Sequence, residues 1–207
     1  MLKNKKIVIF DLDGVLIDSI PNMKYALNKT ALSLSLNLDF QEYKKFIGLP
    51  FEKIMMNMGF TKNLSLIKKR YIFFSNKNLF KIKIKKKNIQ ILKKLKKKFK
   101  LAIFTSKDLK RTKKILSSYK LFDHIVTSDD VIRGKPNPEG ILKILKFFNL
   151  KSKDAIFVGD SFYDYKCAKN CKVFYYHASW GYHKLDNLKK INRLLKMEQL
   201  LKFIWKN

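Results

Sequence analysis

Apolar and polar positions follow two rhythms along this chain. Ile7-Val8-Ile9-Phe10 is a short, β-branched-rich apolar run that ends at acidic residues, so Lys6–Phe10 is predicted as a buried strand. From Pro21 to Phe80 the pattern is helical. Pro21 suits a helix start after Ser19, Asp39 suits the cap of a second helix closed by Gly48, and Pro50 opens a third closed by Gly59. A fourth begins near Leu64. The rhythm then changes. Helices are predicted at Asn88–Phe99, Leu109–Ser118, Glu139–Phe148 and Asp164–Asn170, and strands at Leu101–Thr105, His124–Thr127, Ala155–Val158 and Val173–Tyr176. Lys189–Trp205 also reads as helix.

Strands that alternate with helices imply right-handed crossovers and a parallel sheet covered on both faces. The expected fold is therefore an α/β, Rossmann-like parallel core, residues 1–18 and 86–207, split by a helical insertion at 19–85. At 207 residues, 46% of them hydrophobic, the chain is long enough for a core of this kind. The initial apolar run is too short for a secretory signal, and no segment reaches the length of a membrane span. The cytoplasm is the expected location, with no membrane partner. Cys167 and Cys171 lie four apart in a predicted helix and fit two small buried residues rather than a zinc site with His177 and His183.

The formal charge is +30, with a pI near 10.1. Only four of the basic residues are arginine (Arg70, Arg111, Arg133, Arg193), and sequence readers of DNA rely on arginine. The lysines are spread over the whole chain, alongside abundant Asn, Ile and Phe, a pattern that A/T-rich codons explain. No specific nucleic-acid partner is expected, although the field concentrates anions.

Ligands of such sheets bind beyond the carboxyl ends of the strands, and those ends are polar here. They read Asp11-Leu12-Asp13-Gly14, Thr105-Ser106-Lys107, Ser128-Asp129-Asp130 with Lys135 beyond, and Gly159-Asp160-Ser161 with Asp164 one turn on. Converging carboxylates need a cation, and oxygen ligands beside a phosphate favour Mg²⁺. Asp11 suits a nucleophile that attacks phosphorus in line. Asp13, on the same side of an extended segment, suits proton transfer to the leaving oxygen and from water. Gly14 permits a tight turn against the phosphate, Thr105 or Ser106 can donate to it, and Lys135 supplies charge. Asp160 and Asp164 are the expected metal ligands.

This constellation resembles the haloacid-dehalogenase superfamily. DLDGVLIDS (11–19), FTSK (104–107), VIRGKPNPE (131–139) and VGDSFYD (158–164) match its four motifs in order. The resemblance implies Asp11 as nucleophile, Asp13 as acid/base, Thr105 and Lys135 at the phosphate, and a metal held by Asp11, Asp160, Asp164 and the backbone carbonyl of Asp13. It also implies that the insertion is the helical cap of the phosphoglycolate phosphatase-like subgroup. Thr105-Ser106-Lys107 and Ser179-Trp180-Gly181-Tyr182 are similar to that subgroup's Thr-Asn-Lys and Trp-Gly-Tyr segments. Phe46–Pro50 resembles a cap substrate loop in which Gly48 allows close approach. Ser106 departs from the usual asparagine, and Lys172 stands where a glycine is common.

Other residues have plainer readings. Asp18 shapes or caps the start of the insertion, Asp130 caps a loop, and Asp129 divides evenly between loop and metal shell. Trp180 packs, Met55, Met56 and Met58 form insertion core, and Lys107 is read either at the phosphate site or at the surface. The expected activity is Mg²⁺-dependent hydrolysis of a small phosphorylated metabolite, phosphoglycolate-like, through an aspartyl phosphate. The alternative is a phosphomutase of the β-phosphoglucomutase type. Dehalogenation has no use for Asp13 or a metal.

Overall fold

The computed structural model describes residues 5–202. At its centre lies β1 (Ile7–Phe10), flanked by β2 (Lys100–Phe104) and β4 (Ala155–Gly159). With β3 (His124–Val126), β5 (Phe174–Ala178) and β6 (Arg193–Leu194) these form one parallel sheet in the order β3-β2-β1-β4-β5-β6. All four residues of β1 are fully buried, as expected of a parallel strand covered on both faces.

Alternate residues of each strand feed two cores. Val8, Phe10, Leu101, Ile103, Ile156 and Val158 pack on α5 (Lys86–Lys96) and α6 (Leu109–Leu116). Ile7, Ile9, Phe104 and Phe157 pack on α7 (Glu139–Phe147) and α8 (Phe162–Asn170). Each such buried side chain contributes about 1.5–3 kcal/mol. A third apolar cluster belongs to α1 (Ile20–Leu34), α2 (Phe40–Lys45), α3 (Phe51–Asn57) and α4 (Leu64–Lys77), and includes Leu27, Tyr43, Met55, Ile67 and Tyr71. Asp39 caps α2 as expected, accepting from the Glu42 N–H at 2.8 Å. No described helix is long and apolar enough to cross a membrane.

Three expectations are corrected. The predicted helix Lys189–Trp205 is instead the edge strand β6 followed by a 3₁₀ turn at Met197–Leu201, and its last residues, 203–205, lie outside the described part. Leu194, Met197 and Leu200 are buried at a spacing of three, which serves a 3₁₀ turn as well as a helix, and the open edge of β5 recruits the backbone at 193–194. Helix α8 begins two residues earlier than predicted, because Ser161 caps it. Met56 is 53% exposed, so Met55 alone of the three methionines is fully buried in the insertion.

Candidate active site

The register places Phe10, Ile103 and Val158 in one row. Asp11, Thr105 and Asp160 therefore emerge from three adjacent strands at the same end of the sheet. The chain order reverses direction at β1, which opens the crevice where ligands bind in such sheets. All three side chains are at least 95% buried.

Asp164 enters the same crevice from the first turn of α8. Ser161 and Asp164 form a reciprocal capping box: the Ser161 N–H donates to Asp164 Oδ2 at 3.0 Å and the Asp164 N–H to Ser161 Oγ at 3.1 Å. This fixes Oδ2 and turns Oδ1 toward Lys135, whose Nζ lies 2.7 Å away with no well-formed hydrogen bond. Lys135 also donates to Asp11 Oδ1 at 2.5 Å. Asp160 Oδ2 accepts from the Tyr182 N–H at 2.5 Å. Oxygens of Asp11, Asp160 and Asp164 all lie within 4.8 Å of one another.

Three buried carboxylates thus share one ammonium. Burial lifts the Asp11 carboxyl to about 7; Lys135 opposes the rise, while Asp164 and Asp13 add to it. Burial, then Asp164 and Asp11, push Asp160 well above the usual carboxylate range. Burial works against the charge on Lys135, but Asp11 and Asp164 outweigh it and raise its pKa. Fully ionised, the three carboxylates would exceed the one ammonium by two negative charges, and their donor atoms are all oxygen. That set fits a hard divalent cation such as Mg²⁺.

The Asp13 side chain stands apart from this cluster. Its Oδ1 accepts from Ser19 Oγ and pairs with Lys107 Nζ at 3.2 Å, so Oδ2 is held by neither. Gly14 has φ +85°, and a Cβ there would come within 2.3 Å of Asp160 Oδ2, so glycine is required both by conformation and by space. Gly48, with φ +108°, brings its backbone against Ser161, and its carbonyl accepts from Ser106 Oγ at 2.7 Å. Thr105 is buried with its Oγ1 accepting from the Lys107 N–H at 3.2 Å. Lys107 is buried and faces Asp13, so it is not a surface lysine.

Asp11, Asp13, Thr105, Ser106, Lys107, Gly48 and Asp160 line one chamber of about 50 Å³, closed over by Tyr43, Phe51 and Tyr71 of the insertion. Lys135, Asp164 and Gly14 adjoin it from behind. Asp129 and Asp130 are elsewhere: Asp129 accepts from the Leu109 N–H at 3.0 Å, and Asp130 from the Thr127 N–H at 2.7 Å. Asp18 accepts from the Ile20 N–H at 3.1 Å, and Trp180 donates to the Val15 carbonyl at 3.0 Å. Cys167 and Cys171 are free and buried, and burial raises both thiol pKa values. Sequence reasoning gave no role to Ser19, Gly181, Tyr182 or Arg111. Ser19 closes the first motif and Tyr182 the Trp-Gly-Tyr segment, so both were visible as pattern; Arg111 carried no such signal.

A model of haloacid dehalogenase-like hydrolases matches residues 8–178. The chain belongs to this hydrolase family, with its phosphoglycolate phosphatase-like members, and is a phosphatase-type member of it. The phosphoglycolate phosphatase of Aquifex aeolicus (strain VF5) is 32% identical over 191 residues, which cover 88% of each chain. Pyrophosphatase PpaX of Listeria welshimeri is 29% identical over 112 residues, 51% of this chain and 52% of its own. The crystal structure of a predicted phosphatase from Clostridium acetobutylicum matches with a TM-score of 0.85 at 27% identity, covering 98% of this chain and 99% of that one.

Proposed function

We propose that this chain is a cytoplasmic, Mg²⁺-dependent phosphatase of small phosphate monoesters, phosphoglycolate-like in substrate, working through an aspartyl phosphate. The observation that carries the reading is the Asp11 carboxylate, held by Lys135 at 2.5 Å and grouped with Asp160 and Asp164, facing a chamber that Asp13 also lines. Asp11, Asp160 and Asp164 would hold the metal, together with the Asp13 carbonyl. When bound, the metal neutralises phosphoryl charge and lets a carboxylate approach phosphorus.

In the first step an Asp11 oxygen forms a bond to phosphorus as the ester oxygen leaves. Asp13 Oδ2 delivers a proton to that oxygen; Ser19 and Lys107 anchor the other oxygen of the same carboxyl and so aim it. Thr105, Ser106 and Lys107 hold phosphoryl oxygens, and Lys135 keeps Asp11 charged and oriented. In the second step Asp13 takes a proton from water, whose oxygen attacks the phosphorus and frees Asp11. Residues 19–85 act as a cap over a core of 1–18 and 86–207. The chamber is small, about 50 Å³, and movement of the cap would widen it for substrate.

The test is phosphate release from a panel of small esters with Mg²⁺ and no added bisphosphate. Hydrolysis should stop in chelator and return with Mg²⁺. Full activity in chelator would overturn the metal role, and turnover only with a bisphosphate activator would turn the assignment to a mutase.

A further inference from the structure

Two sets of groups of different chemistry line the chamber. Asp11, Asp13, Thr105 and Lys107 are the reacting set, and Arg111, Tyr43 and Tyr71 line the same space. Arg111 comes from α6 of the core and is 7% exposed. Its Nε donates to Asp108 Oδ2, and its Nη1 to Ser75 Oγ at 3.3 Å. Its guanidinium lies 5.5 Å from the centre of the Tyr71 ring. Asp108 does not line the chamber, so the surface that Arg111 turns to the ligand is cationic. Tyr43 and Tyr71 bring their hydroxyls within 3.4 Å of each other, and burial raises the pKa of both, which keeps them neutral donors. Met23, Leu49, Phe51 and Ile54 add apolar surface to the lining.

A buried guanidinium costs desolvation, and one anionic partner already balances it. Its presence in the wall of a ligand chamber, set rigidly by Asp108 and Ser75, has a use if the ligand brings its own anion. From this we infer that Arg111 is a specificity-determining residue, which selects phosphate esters bearing a second anionic group, carboxylate or phosphate, a few bonds from the scissile phosphorus. The planar guanidinium pairs with either oxyanion, and Tyr71 and Tyr43 donate at its flank. The apolar part of the lining disfavours polyhydroxylated sugars. The same residue senses the cap: Ser75 of α4, which accepts from Arg111, donates to Asn22 Oδ1 of α1 at 2.7 Å. The second anion is therefore read where core and cap meet.

This inference rests on the phosphatase reading, and two measurements separate them. In the first, kcat/KM is compared for 2-phosphoglycolate, pyrophosphate and ethyl phosphate in the wild type, Arg111→Lys and Arg111→Gln. Arg111→Gln should lose roughly 10- to 150-fold more on the substrates with a second anion than on ethyl phosphate, the scale of a hydrogen bond to a charged group. Arg111→Lys should recover part of that loss. A larger loss on 2-phosphoglycolate assigns the carboxylate, and a larger loss on pyrophosphate the phosphate. In the second, calorimetry with Mg²⁺ follows binding of 2-phosphoglycolate, pyrophosphate and ethyl phosphate to Asp11→Asn protein with and without Arg111→Gln. A preference for either ligand with a second anionic group that disappears with Arg111 supports the inference even if turnover is undetectable. Equal proportional losses on all three substrates, or no preference for either of those two ligands over ethyl phosphate in binding, would overturn it, while hydrolysis of ethyl phosphate would leave the phosphatase reading standing.

Discussion

Single residues divide into those whose chemistry shows in their own neighbourhood and those whose role depends on what folds against them. Asp11, Asp13, Asp160 and Asp164 are legible because short motifs at strand ends bring carboxylates together whatever the helices do. Arg111 acts through a partner 36 residues away, Ser75, and no local pattern announces that contact. Gly181 is similar: a Cβ there would stand 2.2 Å from Asp160 Cβ, a constraint created only when the loop after β5 meets the loop after β4. The two aspartates of the first motif should separate by leaving group. Asp11→Asn should cut turnover of every substrate by about 10⁴-fold or more, the scale of losing a nucleophile. Asp13→Asn should cut alkyl phosphate hydrolysis by about 10²–10⁴-fold, the usual contribution of a general acid, and release of nitrophenolate much less. That variant still needs a base for its second step, so rapid quenching should show a nitrophenolate burst and phosphate trapped on Asp11 by mass spectrometry. Label on Asp13, or equal losses for all leaving groups with no trapped species, would refute these roles.

At the scale of elements, the parallel strands and the four helices of the insertion were readable because apolar runs and caps coincide there. Helix ends were less so, for a reason visible in the backbone. Helix α8 finishes in a Schellman arrangement: the Val173 N–H donates to the Ala168 carbonyl at 3.0 Å and the Lys172 N–H to the Lys169 carbonyl at 3.1 Å. This geometry puts Lys172 at φ 56°, where glycine is usual. Ser35 and Asn149, at φ 51°, end α1 and α7 in the left-handed region as well. A reader who looks for glycine as the stop signal finds none at these three ends. Lys172 is exposed and holds its place through the backbone alone, so the departure from glycine costs strain and gains no side-chain contact visible here. Lys172→Gly should stabilise the protein by up to about 1 kcal/mol, the cost of a left-handed residue with a Cβ less the added freedom of the unfolded chain. For a chain of this size that is a rise of roughly 2–4 °C in melting temperature. An unchanged or lower value in differential scanning calorimetry would show that the turn is unstrained.

The whole molecule balances a formal charge of +30 against a buried knot of carboxylates at the end of its sheet. The lysines dominate composition but reveal little of function, whereas Asp11 and Asp160 make the stability of the fold depend on pH. Without metal, Asp11 titrates near 7 in the folded chain, far above its ordinary value near 4, and Asp160 is raised in the same sense. A carboxyl whose pKa rises on folding favours the folded state in its protonated form. Its contribution is complete below its ordinary pKa and is lost as pH climbs through about 7. Metal binding has the opposite dependence, because Mg²⁺ must displace those protons. The stabilisation that Mg²⁺ gives chelator-treated protein should therefore be small at pH 5 and large at pH 8. At a concentration about 100 times the dissociation constant, binding is worth about 2.7 kcal/mol. That corresponds to roughly 5–11 °C of melting temperature at pH 8. Taking the difference with and without Mg²⁺ at each pH cancels the titration of all other groups that the metal does not touch. Asp160→Asn removes one ligand and one of the raised carboxyls, so its shift at pH 8 should collapse toward the value at pH 5. An equal Mg²⁺ shift at both pH values, or a full shift in Asp160→Asn protein, would place the metal somewhere other than this cluster.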